Sequence, residues 1–349
     1  MNIIYRQSGC DRKWHDQQSP MTWFETLTGF PEESSQQVRE NISVDGQTLR
    51  SHGNGKELVY GQLETPTLAE LRERVQASGQ RSGKISVREV VANVQHLHTN
   101  ESNAGSLFQV ASQFNLLEMA SPNVTPERGV GIYEHDRTQG PACAIAAGAG
   151  TIYRNYFAIV NGQLGQSANN QIDCLADIGA ALGNTRSRLW QTRNGYALCT
   201  QSGLVEIAQR LQASSESELD RLRQLLRIGI QWNTQVTLND SNHTVSQAYC
   251  SALPVAYSRH PSHLWAAFAR LILEAAYEAT ICTAILNAMS YGSNRLFLTL
   301  LGGGAFGNET AWIIGAIQRA LTLYKDVELD VAIVSYGSPN PHIQPLVRQ

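Results

Sequence analysis

Charge is the first thing this chain has little of. Asp, Glu, Lys and Arg make up 16% of its 349 residues, against roughly 25% in ordinary soluble domains. The 27 basic and 30 acidic residues leave a formal net charge of −3, so there is no polybasic footprint for a phosphate backbone and no sequence-specific nucleic-acid partner is expected. An anion must be met by something other than bulk positive charge. Long apolar runs are missing too. None reaches the roughly 18 residues of a membrane span, because the longest, around Leu264 to Met289, is interrupted by Arg270, Glu274 and Glu278. The opening, Met1 to Gln7, has no apolar stretch of signal-peptide length, so the reading is a cytoplasmic protein with no membrane partner. The six cysteines, at 10, 143, 174, 199, 250 and 282, form no C-x-x-C pair, which argues against a zinc ribbon or a disulfide framework. The nine histidines contain no H-E-x-x-H, and His96 and His98, two apart on a helix, point to different faces. Neither a metal nor a cofactor is expected.

What is present is apolar bulk. Hydrophobic residues make up 42% and mean hydropathy is −0.25, the balance of a chain that buries a core. The first eighty residues are polar and punctuated by turns: a helix start at Pro31 to Ser35, Asp45-Gly46 and Asn54-Gly55. Leu68, Leu71 and Val75 define a helix face, and Ser86 with Glu89 spells a capping box opening a second helix. Residues 1–82 therefore read as an N-terminal, mainly helical cap and 83–349 as the core.

In the core, strands at Ser106 to Ala111 and Gly195 to Thr200 alternate with helices at Val205 to Leu211 and Glu216 to Leu226. Ile228 to Val236 and Thr244 to Leu253 form a hairpin across Asn239 to Asn242. A long helix follows at Leu264 to Met289, then a strand at Arg295 to Leu301, a glycine loop, a helix at Thr310 to Tyr324 and a strand at Leu329 to Tyr336. Such alternation argues for an α/β layered fold.

The glycine loop, Gly302-Gly303-Gly304-Ala305-Phe306-Gly307-Asn308, directly follows an apolar strand and opens a helix. Glycines let backbone N–H groups approach a phosphate, Asn308 is placed to cap the helix, and the helix dipole favours negative charge. Three readings stand side by side. Gly302, Gly304 and Gly307 satisfy G-x-G-x-x-G, the mark of a NAD-dependent oxidoreductase, yet the loop lies in the last third of the chain and the next strand ends without a ribose-binding acid. A plain structural turn is the second reading. No Lys-Ser or Lys-Thr follows, which excludes a Walker A loop.

The third reading is a resemblance. Leu300 to Asn308, with the helix behind it, resembles the diphosphate-binding loop of macrodomains of the poly(ADP-ribose) glycohydrolase kind. The helix bearing Glu274 to Thr280 resembles the Ala- and Tyr-bearing helix of those enzymes. The resemblance implies a three-layer α/β/α core with a mixed sheet, and an ADP-ribose site at Gly302, Gly303, Gly304, Ala305, Phe306, Gly307 and Asn308. It places Tyr336 near the adenosine, with Asn340 beside it. Tyr336 also fits an ordinary tyrosine at the edge of the core. The segment Phe108 to Met119 resembles the strand ending near the distal ribose, which makes Gln113, Phe114 and Asn115 candidates there. A loop tying up its own backbone is the competing account for Asn115 and Gln113.

Cleaving a glycosidic bond needs a carboxyl group to protonate the leaving oxygen or activate water. In a charge-poor chain the acids near this segment stand out. Asp136, held by Thr138 and Gln139, is the first candidate and Glu118 the second, with Gln139 as a further catalytic candidate. Asp136 also fits a helix N-cap, and Glu127 and Glu134 read as solvated loop acids. Arg137 and Arg154 are basic candidates for contact with a ligand phosphate or with the modified protein. Cys143 with His135 would be needed for thiol chemistry, although a cysteine between alanines is ordinary filler. Enzymes of the resembled family often carry adjacent glutamates in a glycine-rich loop, where this chain has Gln139-Gly140. That departure points away from chain cleavage and toward removing single ADP-ribose units from a modified protein, as in MavL-type hydrolases. A non-catalytic ADP-ribose reader remains the alternative.

Overall fold

The computed structural model describes residues 21–79 and 82–347. The expectations concerning Met1 to Gln7 and Cys10 lie outside the described residues. A seven-stranded sheet organises the chain: β1 (Gln62–Glu64), β2 (Ile85–Val91), β3 (Leu107–Ala111), β4 (Gly229–Gln235), β5 (Thr244–Cys250), β6 (Arg295–Leu298) and β7 (Leu329–Ser335). Their spatial order is β1-β4-β5-β3-β6-β7-β2. From β5 to β2 all neighbours pair in parallel, whereas β4 runs antiparallel to β1 and β5. β3, central and buried, shows why strands of this kind read as continuous apolar runs. Phe108 stacks on Phe297 on one face, with ring centroids 4.5 Å apart. Its neighbour Gln109 points the other way, its Nε2 donating to Thr280 Oγ1 at 3.0 Å.

Helices cover both faces. On the Gln109 side lies α7 (Ser262–Tyr291), 30 residues long, packed by α1 (Leu68–Ala77), α5 (Gln201–Ala213), α6 (Glu216–Gln224) and α8 (Thr310–Leu323). On the Phe108 side lie α2 (Val94–Thr99), α3 (Gln139–Ala146) and α4 (Gly148–Tyr156). The layers are therefore α/β/α around a mixed sheet. The acids that interrupt α7 in sequence are paired in space: Glu274 accepts from Arg223 at 2.7 Å, and buried Glu278 accepts from Arg72 and Arg319 at 2.6 Å each. The helix thus buries its apolar surface inside a layer and answers its charges there.

The hairpin β4–β5, α1 with buried Leu68, Leu71 and Val75, and the long helix form where the sequence predicts them. Ser34 caps the helix Ser35–Asn41, with Gln37 N–H donating to its Oγ at 3.2 Å. Two expectations are corrected. The Ser86–Glu89 capping-box pattern opens no helix, because Ile85–Val91 is strand β2, paired along its full length with β7. Its β-branched residues fit an extended chain, and Glu89 is engaged by Ser335 Oγ and Asn340 N–H, both at 2.6 Å. The boundary at residue 83 is no break in the fold either. β1 belongs to the main sheet and α1 to its core, leaving two short helices and a three-stranded sheet (Ile42–Asp45, Thr48–Ser51, Glu57–Val59) ahead of them.

Candidate active site

A cleft of about 200 Å³ opens beyond the carboxyl ends of β3, β5 and β6, where Ala111 to Gln113, Ala252 and Thr299 to Leu301 line it. This is where α/β sheets place ligands. Gly302, Gly304, Ala305 and Phe306 form one wall and Glu118, Asp136, Thr138, Gln139 and Gly140 the other. A second groove, of about 500 Å³, shares Thr299, Leu300 and Gly304 with the first and runs on past Gly303 and Thr310 to Tyr336 and Asn340. The two meet over the glycine loop, so an elongated ligand can lie across it.

The loop divides its glycines between shape and access. Gly302 and Gly307 have φ of 73° and 68°, the left-handed region glycine tolerates without cost. A Cβ on Gly302 would also strike Ala252, and one on Gly307 would sit 2.8 Å from Ala256 Cβ. At Gly304 a Cβ meets nothing within 4 Å, so this residue borders open space. The N–H groups of Gly304, Ala305 and Phe306 have no acceptor among the described residues, while those of Gly303, Gly307 and Asn308 are used within the loop. Three free amides beside the start of the 14-residue α8 make an anion-binding surface. Among the described residues no Lys or Arg lines the cleft, so an anion there would meet backbone N–H groups and no basic side chain. Asn308 does not cap α8 as expected. Its Nδ2 instead donates to Leu253 O at 2.8 Å, tying the loop to the segment after β5, and the N-cap is Glu309.

Opposite the loop, Glu118 lines the cleft with only 4% of its surface exposed. Its Oε1 is buried without a hydrogen-bond partner. Burial pushes this carboxyl well above the usual carboxylate range, with nearby Asp136 adding to the rise and Arg154 opposing it. Its backbone N–H donates to the Tyr133 hydroxyl at 3.0 Å. Gly140 explains itself here, because any side chain on it would strike Ala111 O and the Glu118 carboxyl. A carboxyl that holds its proton to higher pH and faces a cleft is suited to general-acid work.

The other expected residues distribute as follows. Asp136 is half-buried in the cleft wall, its Oδ1 accepting from Thr138 N–H at 2.9 Å. The helix N-cap is Thr138 rather than Asp136. Gln139 borders the cleft, but its amide is spent on the β3 backbone: Oε1 accepts from Ala111 N–H at 2.9 Å and Nε2 donates to Gln109 O at 2.8 Å. Gln113 lines the cleft, with Oε1 accepting from Met119 N–H at 2.8 Å. Phe114 and Asn115 do not reach it. Both are buried; Asn115 Oδ1 accepts from Leu117 N–H within its own loop, and its Nδ2 donates to Gln171 Oε1, 56 positions away. Tyr336 is 84% exposed at the far groove, which fits a stacking surface rather than an edge of the core. Arg154 is buried away from the cleft, so it touches no ligand phosphate, while Arg137 is exposed. Cys143 is buried and burial pushes its thiol well up, while His135 lines a separate pocket. That combination yields no nucleophilic thiolate.

Sequence reasoning missed Tyr196 and Tyr257. With Phe306 they form an aromatic wall, with centroids 5.0 to 5.5 Å apart, and Tyr196 donates to Met119 O at 2.6 Å. No spacing joins residues 61 positions apart in the chain; only the fold brings them together.

No family model matches the chain, and no curated protein does. Among solved structures the chain is similar to poly(ADP-ribose) glycohydrolase from Deinococcus radiodurans in complex with ADP-ribose, at 11% identity over 82% of this chain and 94% of that one, TM-score 0.42. It is also similar to poly(ADP-ribose) glycohydrolase from Thermomonospora curvata bound to the inhibitor ADP-HPD, at 12% identity over 90% of this chain and 97% of that one, TM-score 0.41.

Proposed function

We propose that this chain binds ADP-ribose across the glycine loop and hydrolyses an ADP-ribosyl glycosidic bond, releasing single ADP-ribose units from a modified protein. The observation that carries the reading is Glu118, a buried carboxyl in the lining of the cleft whose Oε1 has no hydrogen-bond partner, across from a cluster of free amides. The diphosphate sits on the N–H groups of Gly304, Ala305 and Phe306, the adenosine extends toward Tyr336, and the distal ribose lies between Phe306 and Glu118. Glu118, protonated, gives its proton to the leaving oxygen as the anomeric C–O bond breaks. The oxocarbenium-like ribose is stabilised by the negative charge of Asp136 and of the newly formed Glu118 carboxylate. Water then adds to the anomeric carbon and returns a proton to Glu118.

In this proposal Glu118 is the acid and Asp136 the supporting charge, the reverse of the order expected from sequence, and the burial of Glu118 supports that choice. In calorimetry wild type and Glu118→Gln both bind ADP-ribose, while Glu118→Gln releases it from a mono-ADP-ribosylated protein about 10²- to 10⁴-fold more slowly. Release at the wild-type rate by Glu118→Gln overturns the assignment. Binding with no release by wild type makes the protein a reader of ADP-ribosylation, and tight NAD binding with nicotinamide reduction would replace both readings.

A further inference from the structure

Side chains hold a run of backbone groups in the loop that carries Glu118. Asn115 Oδ1 accepts from Leu117 N–H, Gln113 Oε1 from Met119 N–H, and the Tyr133 hydroxyl from Glu118 N–H. Gln166 Nε2 donates to Asn115 O at 3.0 Å and Arg154 Nε to Leu116 O at 3.1 Å. Leu116 is the strained member, with φ of 65°, a left-handed conformation that a branched side chain resists and that is stored at functional sites.

Arg154 is the unusual partner. It is 1% exposed, where an arginine is ordinarily ion-paired, yet among the described residues no carboxylate lies within ion-pair distance of it. Its Nη1 donates to Gln231 Oε1 at 3.3 Å and its Nη2 to Thr151 Oγ1 at 3.0 Å, and the guanidinium lies 3.7 Å over the Tyr249 ring. The titratable groups whose fields reach Glu118 are Asp136, Tyr133, Tyr196, Tyr249, Cys143 and Arg154. Only Arg154 is positive. A buried, unpaired cation behind a buried, unpartnered acid is costly to the fold unless the pair serves the site.

We propose that Arg154 is a positioning residue for Glu118, holding the Leu116 carbonyl in the left-handed turn that aims the Glu118 carboxyl into the cleft and balancing the carboxylate left when that proton departs. The inference rests on Glu118 being the acid of the proposed reaction. Arg154 touches no substrate. Its fixed, planar fork keeps three acceptors in place at once, which a lysine cannot do, and its charge holds down a rise that burial alone would carry further.

The test uses the full chain with Arg154→Lys and Arg154→Met. Release of ADP-ribose from a mono-ADP-ribosylated protein is followed across pH, with ADP-ribose binding by calorimetry and ¹³C NMR titration of the Glu118 carboxyl, assigned by its loss in Glu118→Gln. ADP-ribose affinity is expected to stay within about threefold in both variants, since the cleft lining is untouched. In Arg154→Met, kcat falls about tenfold or more, and the basic limb of the profile and the Glu118 titration midpoint both move to higher pH. Arg154→Lys keeps the midpoint because it keeps the charge, but loses kcat with KM little changed. A folded Arg154→Met with wild-type midpoint and rate overturns the proposal; if that variant does not fold, a wild-type kcat in Arg154→Lys does so. Should wild type release nothing, the proposed reaction fails and the catalytic part of this inference fails with it, while the Glu118 midpoint in Arg154→Met decides the electrostatic part: an upward move supports the balancing role of Arg154 and no move overturns it.

Discussion

Glu118 shows how one residue couples stability to chemistry. Its carboxyl sits well above the usual range through burial, whereas the unfolded chain releases the same proton at the ordinary glutamate value of about 4.3. Between those two values the unfolded state binds fewer protons than the folded one. Wild-type stability therefore falls as pH rises from the ordinary glutamate range toward the raised folded value. Glu118→Gln removes this linkage, so it should match wild type near pH ~4 and melt at a higher temperature than wild type near pH ~8. Thermal melting of both proteins at the two pH values checks this, and an equal difference at both would show that Glu118 does not carry its proton into the folded state. The tie from Leu116 O to Arg154 and the orphaned Oε1 lie beyond any sequence pattern, since Arg154 reads from sequence as one more basic residue in a small-residue segment.

At the scale of elements, the strand, glycine loop and helix from Arg295 to Leu323 form a unit whose proposed anion site is built from neighbouring residues and is therefore legible in sequence. Gly304→Val places its side chain in the open space above the loop and should abolish ADP-ribose binding while leaving the melting temperature near wild type. Calorimetry and thermal melting separate the two effects, and unchanged affinity would sink the loop assignment. Gly302→Ala should do the opposite kind of damage. Its φ of 73° and the close approach of Ala252 make an added methyl costly, about 1–3 kcal/mol of stability by urea denaturation. The Ser86–Glu89 pattern failed for a complementary reason. A capping box is a spacing, and Glu89 found its donors in Ser335 and Asn340, residues almost 250 positions away that only strand pairing brings near.

Across the whole molecule, the charges missing from the cleft reappear behind the sheet. Arg72 donates to Asp220 through both Nη atoms at 2.8 Å and to Glu278 at 2.6 Å, and Arg319 joins at Glu278 Oε2, fastening α1, α6, α7 and α8 together. Removing one partner of such a network leaves buried charge uncompensated. Glu278→Ala should cost about 3–5 kcal/mol of unfolding free energy, with ADP-ribose affinity unchanged in the protein that remains folded. Equilibrium urea unfolding and calorimetry together check it, and a loss under about 1 kcal/mol would show that the network does not bind the layers.

The sequence by itself determined the strands and helices of the C-terminal third, the layered α/β class and the glycine loop between β6 and α8, because alternation, helical spacing and glycine runs are properties of neighbouring residues. It named Glu118, Asp136 and the loop as candidates for one site. It placed Asp136 before Glu118, and the burial that favours Glu118 as the proposed acid belongs to the tertiary structure. Whether a carboxyl keeps its proton depends on its burial and on the charged groups around it, and the groups whose fields reach Glu118, among them Tyr133, Cys143, Arg154, Tyr196 and Tyr249, come from five different elements. The same holds for Asn115 and Asn308, whose partners in the fold, Leu117 N–H and Gln171 for the one and Leu253 O for the other, include residues more than fifty positions away. Solvent exposure and long-range hydrogen bonding are set by packing, and no local pattern encodes them.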